Sequence, residues 1–214
     1  MRFNLSAFYL RYDDKQEEVL TPSPNGLATE TKVQNAASVT VKGLELEFQA
    51  LPADWLNLYG SAGYMHSRYK QYLVFDAGLN DFVDVSDIAR LRSAPKWNFN
   101  IGADLMFQVG NGGMITFNAN YKWTDEFYSS PFADPVGDLT GWYREVIGSY
   151  GQADFSLGYK GPLFGGGTEY NLSVFLKNAF HGKGRVSRVL DAGPFYFGTL
   201  QPGRIWGIEL NVSI

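Results

Sequence analysis

The sequence predicts an all-β protein whose antiparallel strands cross a membrane as part of a β-barrel. Three observations indicate this class: apolar and polar residues alternate in about eight segments, aromatic residues gather toward the segment ends, and long connections alternate with short ones. In such a barrel, lipid covers the apolar side of each strand and the polar side faces the lumen. The predicted strands lie at residues 3–9, 44–49, 56–64, 97–107, 115–123, 152–160, 171–177 and 204–214.

The final segment shows the alternation most clearly. Trp206, Ile208 and Leu210 fall on one side of an extended strand, because successive side chains point to opposite faces. The residues between them are glycine or polar. Several segments reach the ~9–11 residues that a tilted membrane-crossing strand needs, whereas strands of soluble proteins are usually shorter. Length and pattern together favour strands that span a bilayer.

The apolar side of the clearest strands carries no charge, and its aromatic residues lie toward the strand ends. These residues are Tyr64, Trp97, Tyr121, Trp123, Tyr159 and Trp206. A membrane–water interface selects aromatic side chains at both rims of an apolar band. An antiparallel sandwich with one side in water also alternates, so a soluble β-sandwich binding module stays open as an alternative. A sandwich core would place large aromatic residues in mid-strand as readily.

Charged residues lie within or beside the predicted strands, on the side opposite the apolar residues. Those predicted to face the lumen are Glu45, Glu47, Asp104, Lys122, Asp154, Lys160, Lys177 and Glu209. Glu45 and Glu47 resemble a carboxylate pair for acid–base chemistry, but they share their side with the other charges. We interpret them as solvated lumen residues.

The composition excludes several other classes. No stretch approaches the ~20 apolar residues of a membrane-spanning helix, and a net charge of −4 argues against nucleic-acid binding, which usually shows a basic surface. The absence of cysteine excludes disulfides, thiolate metal sites and cysteine nucleophiles. The two histidines, His66 and His181, lie at a strand end and at the start of a loop. We therefore predict no enzymatic activity, no catalytic residue, no metal site and no cofactor.

The connections predict the orientation in the membrane. Four are long, at about residues 14–34, 71–94, 129–149 and 181–203; those at 51–54 and 108–113 are short, and that at 161–168 is moderate. Because the long loops of outer-membrane barrels are extracellular and the short turns periplasmic, both termini are expected on the periplasmic side. With no linker and no repeat beyond the hairpin, residues 1–214 are predicted to form one domain.

Four motifs, in order along the chain, carry a resemblance to a known family. The first is Asn35-Ala-Ala-Ser-Val-Thr-Val-Lys-Gly-Leu-Glu-Leu-Glu-Phe48, followed by a Pro-Ala-Asp turn and Leu-Asn-Leu-Tyr-Gly-Ser-Ala-Gly-Tyr64. The others are Ala94-Pro-Lys-Trp-Asn-Phe-Asn100, Leu172-Ser-Val-Phe-Leu-Lys-Asn-Ala-Phe180 and Pro202-Gly-Arg-Ile-Trp-Gly-Ile-Glu-Leu-Asn-Val-Ser-Ile214. Together they resemble the late barrel strands of TonB-dependent outer-membrane receptors of the siderophore-receptor type.

The resemblance implies an origin, a function and partners. It implies the C-terminal third of a barrel of about twenty-two strands, in the bacterial outer membrane, for uptake of a ferric siderophore or a similar nutrient. The chain is then expected to be a fragment or a truncated gene product, and TonB would act only through a plug domain that it lacks. Further implied partners are outer-membrane lipid and the barrel-assembly machinery, which reads the last strand. The family usually ends in an aromatic residue, whereas this chain has Ile214.

Ligand contacts are predicted in the long loops. The candidates are Tyr69, Arg90, Arg92, Tyr128, Trp142, Tyr143, Arg144 and Arg188. Arginine and aromatic side chains suit an anionic, ring-bearing ferric siderophore through charge-assisted hydrogen bonds and stacking, although outer-membrane loops are generally rich in both. The alternative function is a free-standing eight-stranded barrel that acts as a structural anchor or adhesin.

Overall fold

The structure is all β. A computed structural model describes residues 1–22, 29–76, 78–110, 112–131, 146–163, 168–181, 185–192 and 195–213. Within these ranges no helix is long and apolar enough to cross a membrane. The strands are β1 (Arg2–Pro22), β2 (Thr29–Ala53), β3 (Leu56–Asp76), β4 (Asp81–Asp84), β5 (Trp97–Val109), β6 (Gly113–Thr124), β7 (Phe127–Tyr128), β8 (Val146–Ile147), β9 (Tyr150–Leu163), β10 (Thr168–Lys177), β11 (Arg185–Ala192), β12 (Phe195–Gln201) and β13 (Ile205–Ser213).

Eight of these strands form one antiparallel sheet in the order β1-β2-β3-β5-β6-β9-β10-β13. They are the eight strands that the alternation predicts, and each pairs with the neighbour expected for a series of hairpins. The short strand β4 adds to the far end of β3, while β7–β8 and β11–β12 form separate two-stranded sheets within the long connections. The predicted fold class of antiparallel β-strands is confirmed.

The first three strands are longer than predicted. β1 and β3 each contain 21 residues and β2 contains 25. Much of the predicted loop at 14–34 is therefore strand, and the connection at 181–203 contains the β11–β12 hairpin. The register of β1 on β2 shifts between Tyr12 and Lys15, where Asp14 has a left-handed φ of 57°. Beyond this bulge the ladder continues without apolar alternation, so periodicity could not reveal it.

The main sheet is open. β1 and β13 lie at its two ends, and no pairing joins them among the described strands. In lipid, backbone N–H and C=O groups at such an edge would lack hydrogen-bond partners, which costs several kcal/mol for each group. A free-standing eight-stranded barrel requires β1 to pair with β13. The described strands therefore do not support that alternative.

One face of the sheet is apolar and uncovered, and we call it the outer face. Leu5 and Ile208 are each 66% exposed, and Trp206 is 74% exposed. Other large exposed residues that the register places on this face are Phe3, Leu44, Phe99, Ile101, Leu157, Leu172, Val174, Leu210 and Val212. A soluble sandwich would cover this face with a second sheet, and no described element does so. The hydrocarbon of a lipid bilayer is the environment that suits such an exposed apolar face.

Aromatic rings lie at both ends of the outer face. At the long-loop end the ring centroids are 4.6 Å apart in Tyr64–Trp97 and 5.4 Å in Phe99–Trp123; at the short-turn end they are 5.5 Å apart in both Trp55–Phe107 and Tyr159–Tyr170. These pairs form two aromatic belts separated by aliphatic side chains. Such belts fit the two interfaces of a bilayer.

Phe175 breaks the alternation because it covers a glycine. It lies on the polar side of β10, directly opposite Gly207 on β13. A Cβ atom at Gly207 would come within 2.6 Å of the Phe175 ring. The same arrangement joins Phe8 to Gly43 on the opposite half of the sheet. A ring placed over a glycine of the neighbouring strand fixes the register of the two strands.

The two faces of β9 should respond in opposite ways to charge. Leu157→Arg on the outer face is expected to cost ~2–4 kcal/mol near the bilayer midplane, because the guanidinium enters hydrocarbon. The adjacent Ser156→Arg places the same charge on the polar face and should cost no more than about 1 kcal/mol, the hydrogen bond that it removes. Unfolding titrations in lipid vesicles measure both. Equal losses would contradict the assignment of the faces.

Candidate functional site

The polar face of the main sheet lies opposite the outer face and carries all eight charged residues predicted to face a lumen. Asp104 on β5 lies opposite Asn118 on β6, and Asp154 on β9 lies opposite Asn120. The register likewise puts the other six on this face: Glu45, Glu47, Lys122, Lys160, Lys177 and Glu209. The strand pairing shows that these eight residues share one face. That this face lines a lumen stays a prediction.

A chain of side-chain hydrogen bonds crosses five strands of the polar face. Gln49 Nε2 donates to Asn57 Oδ1 over 3.1 Å, and Asn57 Nδ2 donates to Asp104 Oδ2 over 2.9 Å. From the other side, Asn118 Nδ2 donates to Asp104 Oδ1 and Ser156 Oγ donates to Asn118 Oδ1, both over 2.9 Å. Both carboxylate oxygens of Asp104 are thus occupied, which stabilises a charge that is only half exposed.

Several other charges of the polar face are held more loosely. Glu45 accepts a hydrogen bond from Ser6 at 3.3 Å. Lys160 forms an exposed ion pair with Glu169 at 2.8 Å. The Lys177 ammonium lies 5.5 Å from the centre of the Phe175 ring. Exposed pairs of this kind contribute little to stability, so these side chains are free to contact whatever occupies this side of the sheet.

At the long-loop end the polar face changes character and becomes buried. Val39 and Val41 of β2, which continue the row of Glu45, are 1% and 7% exposed. They pack with Tyr69 on β3 and with Ala89 from the connection after β4. The Tyr69 ring meets the edge of the Tyr72 ring at 4.9 Å. The connection after β4 therefore folds over the polar side of β2 and β3.

A buried carboxylate lies beside this apolar patch. Glu17 of β1 is 2% exposed, and its oxygens accept from Lys15 Nζ, from Tyr69 Oη over 2.8 Å and from Arg92 Nη2 over 3.3 Å. We call these four residues the Glu17 cluster. A buried charge is tolerated only when it is paired and hydrogen-bonded. Burial, and next the hydrogen bond to Glu17, raise the pKa of Tyr69, so the phenol keeps its proton.

Backbone hydrogen bonds fix the segment that contributes Ala89 and Arg92, residues 84–93. The N–H groups of Val85, Arg90 and Ser93 donate to the carbonyls of Tyr72, Pro131 and Tyr128, each over 2.8 Å. Asp84 accepts from the N–H groups of Tyr72 and Ser86, each over 2.9 Å. These two bonds lower the pKa of Asp84. These hydrogen bonds hold residues 84–93 in a defined position on the sheet.

The predicted ligand residues separate into four groups. Tyr69 and Arg92 belong to the Glu17 cluster, and the burial of Tyr69 gives it a packing role in this structure. Arg90 is exposed; together with half-buried Tyr128 it lines a cavity of about 370 Å³ beside β3. Arg188 pairs with Thr199 in the β11–β12 hairpin. Trp142, Tyr143 and Arg144 lie outside the described residues.

Sequence reasoning missed Lys15 and Glu17. Both lie in the part of β1 that was predicted to be a loop, and their neighbours show no apolar alternation. Arg92, which donates to Glu17, lies 75 positions away from it in the chain. No local pattern contains that information. The pairing of Glu17 with Gln34 emerges only from the register of β1 on β2.

Comparisons with known proteins find one family and one fold. A family model described as TonB dependent receptor-like, beta-barrel matches residues 1–179. No curated protein matches the sequence. The ferric yersiniabactin uptake receptor FyuA from Yersinia pestis is similar in structure, with a TM-score of 0.66 at 18% identity, over 97% of this chain and 27% of that receptor.

Two receptors from Acinetobacter baumannii are similar to the same degree. The ferric preacinetobactin receptor BauA gives a TM-score of 0.63 and the siderophore receptor PiuA one of 0.62, each at 17% identity. Each match covers 98% of this chain and 26% of the receptor. Identities this low show a common fold alone. The chain spans about a quarter of the length of these receptors.

Removal of the buried carboxylate should loosen the 84–93 segment. Glu17→Ala leaves Arg92, Lys15 and Tyr69 without their shared acceptor and is expected to cost on the order of 2–3 kcal/mol locally. Hydrogen exchange followed by mass spectrometry should show faster exchange in peptides that contain Val85 and Arg90. Glu45→Ala, an exposed carboxylate on the same strand system, serves as the matched control. Unchanged exchange in Glu17→Ala would refute the anchoring role.

Proposed function

Because the chain belongs to the TonB-dependent receptor-like β-barrel family, we propose that it forms part of the barrel of a receptor in the bacterial outer membrane. The receptor takes up a ferric siderophore or a similar nutrient. The family match over residues 1–179 is the observation that carries this proposal. The uncovered outer face and the two aromatic belts support it independently, because they fit a bilayer.

In this proposal the two faces of the sheet have different roles. Lipid covers the outer face, and the polar face lines the path of the nutrient, with Asp104 held by amides and the lysines free to contact a neighbouring domain. In this proposal the neighbouring domain is a plug, and TonB acts on the barrel only through that plug. The receptors named above supply the precedent for a ferric chelate as the ligand.

The ligand would bind at the long-loop end. A ferric siderophore carries negative charge and aromatic or heterocyclic rings, which arginine and tyrosine recognise by charge-assisted hydrogen bonds and stacking. Arg90 is exposed next to Tyr128, whereas Arg92, also exposed, already pairs with Glu17. The Arg90 guanidinium donates to the carbonyls of Asp87 and Ala89 over 3.0 and 3.1 Å. These bonds orient the side chain and leave other N–H donors for a ligand.

A titration tests the proposal. The protein purified from outer membranes is titrated with ferric yersiniabactin, ferric preacinetobactin and their iron-free forms, with tryptophan fluorescence as the signal. We expect a ferric form to bind more tightly than its iron-free form. Arg90→Gln should weaken that binding by about tenfold, the value of one hydrogen bond to a charged group.

Lys160→Gln, at the short-turn end of the polar face, is the matched control and should leave the affinity unchanged. Growth under iron limitation extends the test beyond the two chelates. If no ferric siderophore supports growth through this protein, and none binds, the proposed ligand class is wrong. Equal effects of Arg90→Gln and Lys160→Gln would place the ligand away from the long-loop end.

A further inference from the structure

The turn that follows β10 contains two buried polar atoms that have no hydrogen-bond partner among the described residues. They are Asn178 Oδ1 and His181 Nδ1. Asn178 as a whole is only 7% exposed. The two residues belong to the same turn, because the His181 N–H donates to the Asn178 carbonyl over 3.1 Å. Since native proteins pair nearly all of their buried polar atoms, two orphaned atoms in one turn indicate a bound species between them.

The contacts of Asn178 fix which atom is orphaned. The residue has a left-handed φ of 52°, which asparagine adopts more readily than most residues. Its N–H donates to Asp154 Oδ1 on β9 over 2.7 Å, and its Nδ2 donates to the Pro202 carbonyl over 3.1 Å. The nitrogen of the side-chain amide is therefore engaged, and the atom left over is the oxygen. An amide oxygen can only accept.

Asp154 adds a negative charge beside these two atoms. It is half-buried, and no lysine or arginine of the described chain lies within ion-pair distance of its carboxylate. The adjacent Lys177 holds its ammonium 5.5 Å from the centre of the Phe175 ring. The Asn178 N–H occupies one carboxylate oxygen and leaves the other to accept. A carboxylate, an amide oxygen and an imidazole nitrogen thus come together without a cation, and we call these three residues the Asp154 site.

We infer that the Asp154 site binds a divalent transition-metal ion such as Zn²⁺. Carboxylate oxygen and imidazole nitrogen are common ligands of Zn²⁺, and a neutral imidazole protonated on Nε2 presents Nδ1 as the ligand atom. The imidazole argues against Ca²⁺ and Mg²⁺, which prefer oxygen ligands alone. A water molecule could donate to the orphaned atoms but would bring no charge to offset the carboxylate. A divalent ion accepts the lone pairs of all three groups and supplies that charge.

The ion would fasten the 181–203 connection to the main sheet. The Ala179 N–H donates to the Ala153 carbonyl on β9 over 2.8 Å, and Gln201 Nε2, near the other end of the connection, donates to Tyr150 Oη over 3.2 Å. Both ends of the connection therefore rest on β9, and the site lies at the first of them. The sequence predicts no metal site, because the ligands come together only through the pairing of β9 with β10. This role is structural and stands apart from the identity of the nutrient.

A metal titration tests this inference. The protein is purified from outer membranes without a histidine tag, freed of metal with a chelator, and titrated with Zn²⁺ in competition with a chelating dye. His181→Phe and Asp154→Asn should each weaken Zn²⁺ binding at least tenfold, because the loss of even an outer-shell partner costs ~10–100-fold in metal affinity. Asp154→Asn keeps an acceptor for the Asn178 N–H, so it decides the matter if His181→Phe does not fold. With Cu²⁺ in place of Zn²⁺, electron paramagnetic resonance should show coupling to an imidazole nitrogen, which a merely structural histidine would not produce.

His66→Phe removes the other histidine of the chain and serves as the matched control, with no change expected in the affinity or in the nitrogen coupling. Loss of the coupling in His66→Phe would place the metal at His66 and overturn the inference. Zn²⁺ binding that survives both His181→Phe and Asp154→Asn is adventitious and also overturns it. If the metal-free protein binds no Zn²⁺, water is the partner of the two buried atoms and the site is not a metal site.

Discussion

The fold depends on an apolar sheet face that no other part of the described chain covers. Exposing these leucine, isoleucine and aromatic side chains to water costs about 25 cal/mol for each Å² of apolar surface. In water the sheet would therefore tend to aggregate through this face. Lipid removes that cost. The same requirement explains the uncharged runs of about nine residues and the aromatic rings at both ends, and within those runs it confines charge to the other face. The length of the strands, the alternation of apolar and polar residues and the aromatic belts all follow from contact with a lipid bilayer.

The polar face meets a different requirement, because its charges must be satisfied within a crowded sheet. Asp104 receives amide donors from both neighbouring strands, and Glu17 collects three donors at the long-loop end. In both places a carboxylate holds together segments that are distant in sequence. The first ties adjacent strands, whereas the second ties the 84–93 segment to β1. The long-loop end thereby gains a defined surface on which Arg90 and Tyr128 can meet a ligand.

The alternation predicted the eight strands of the main sheet and their two faces, because a period of two is a local property that each strand carries by itself. Phe175 looked like an exception until its partner Gly207 was known. The extensions of β1 and β3 and the Glu17 cluster could not be predicted, since they arise from pairing between residues far apart in the chain. Tyr69 was chosen as a ligand contact by residue type alone. Its burial follows from the way the 84–93 segment folds back, which no local pattern encodes.

The most direct test of the account asks which side of each strand meets lipid. The sequence contains no cysteine, so single cysteines can be placed along β5 from Phe99 to Leu105 without a background and spin-labelled in lipid vesicles. Collision with oxygen, which concentrates in hydrocarbon, should be high at Phe99, Ile101, Ala103 and Leu105, and low at the residues between them. A period of two confirms that the outer face is the lipid face. Accessibility without alternation, or alternation of opposite phase, would contradict it.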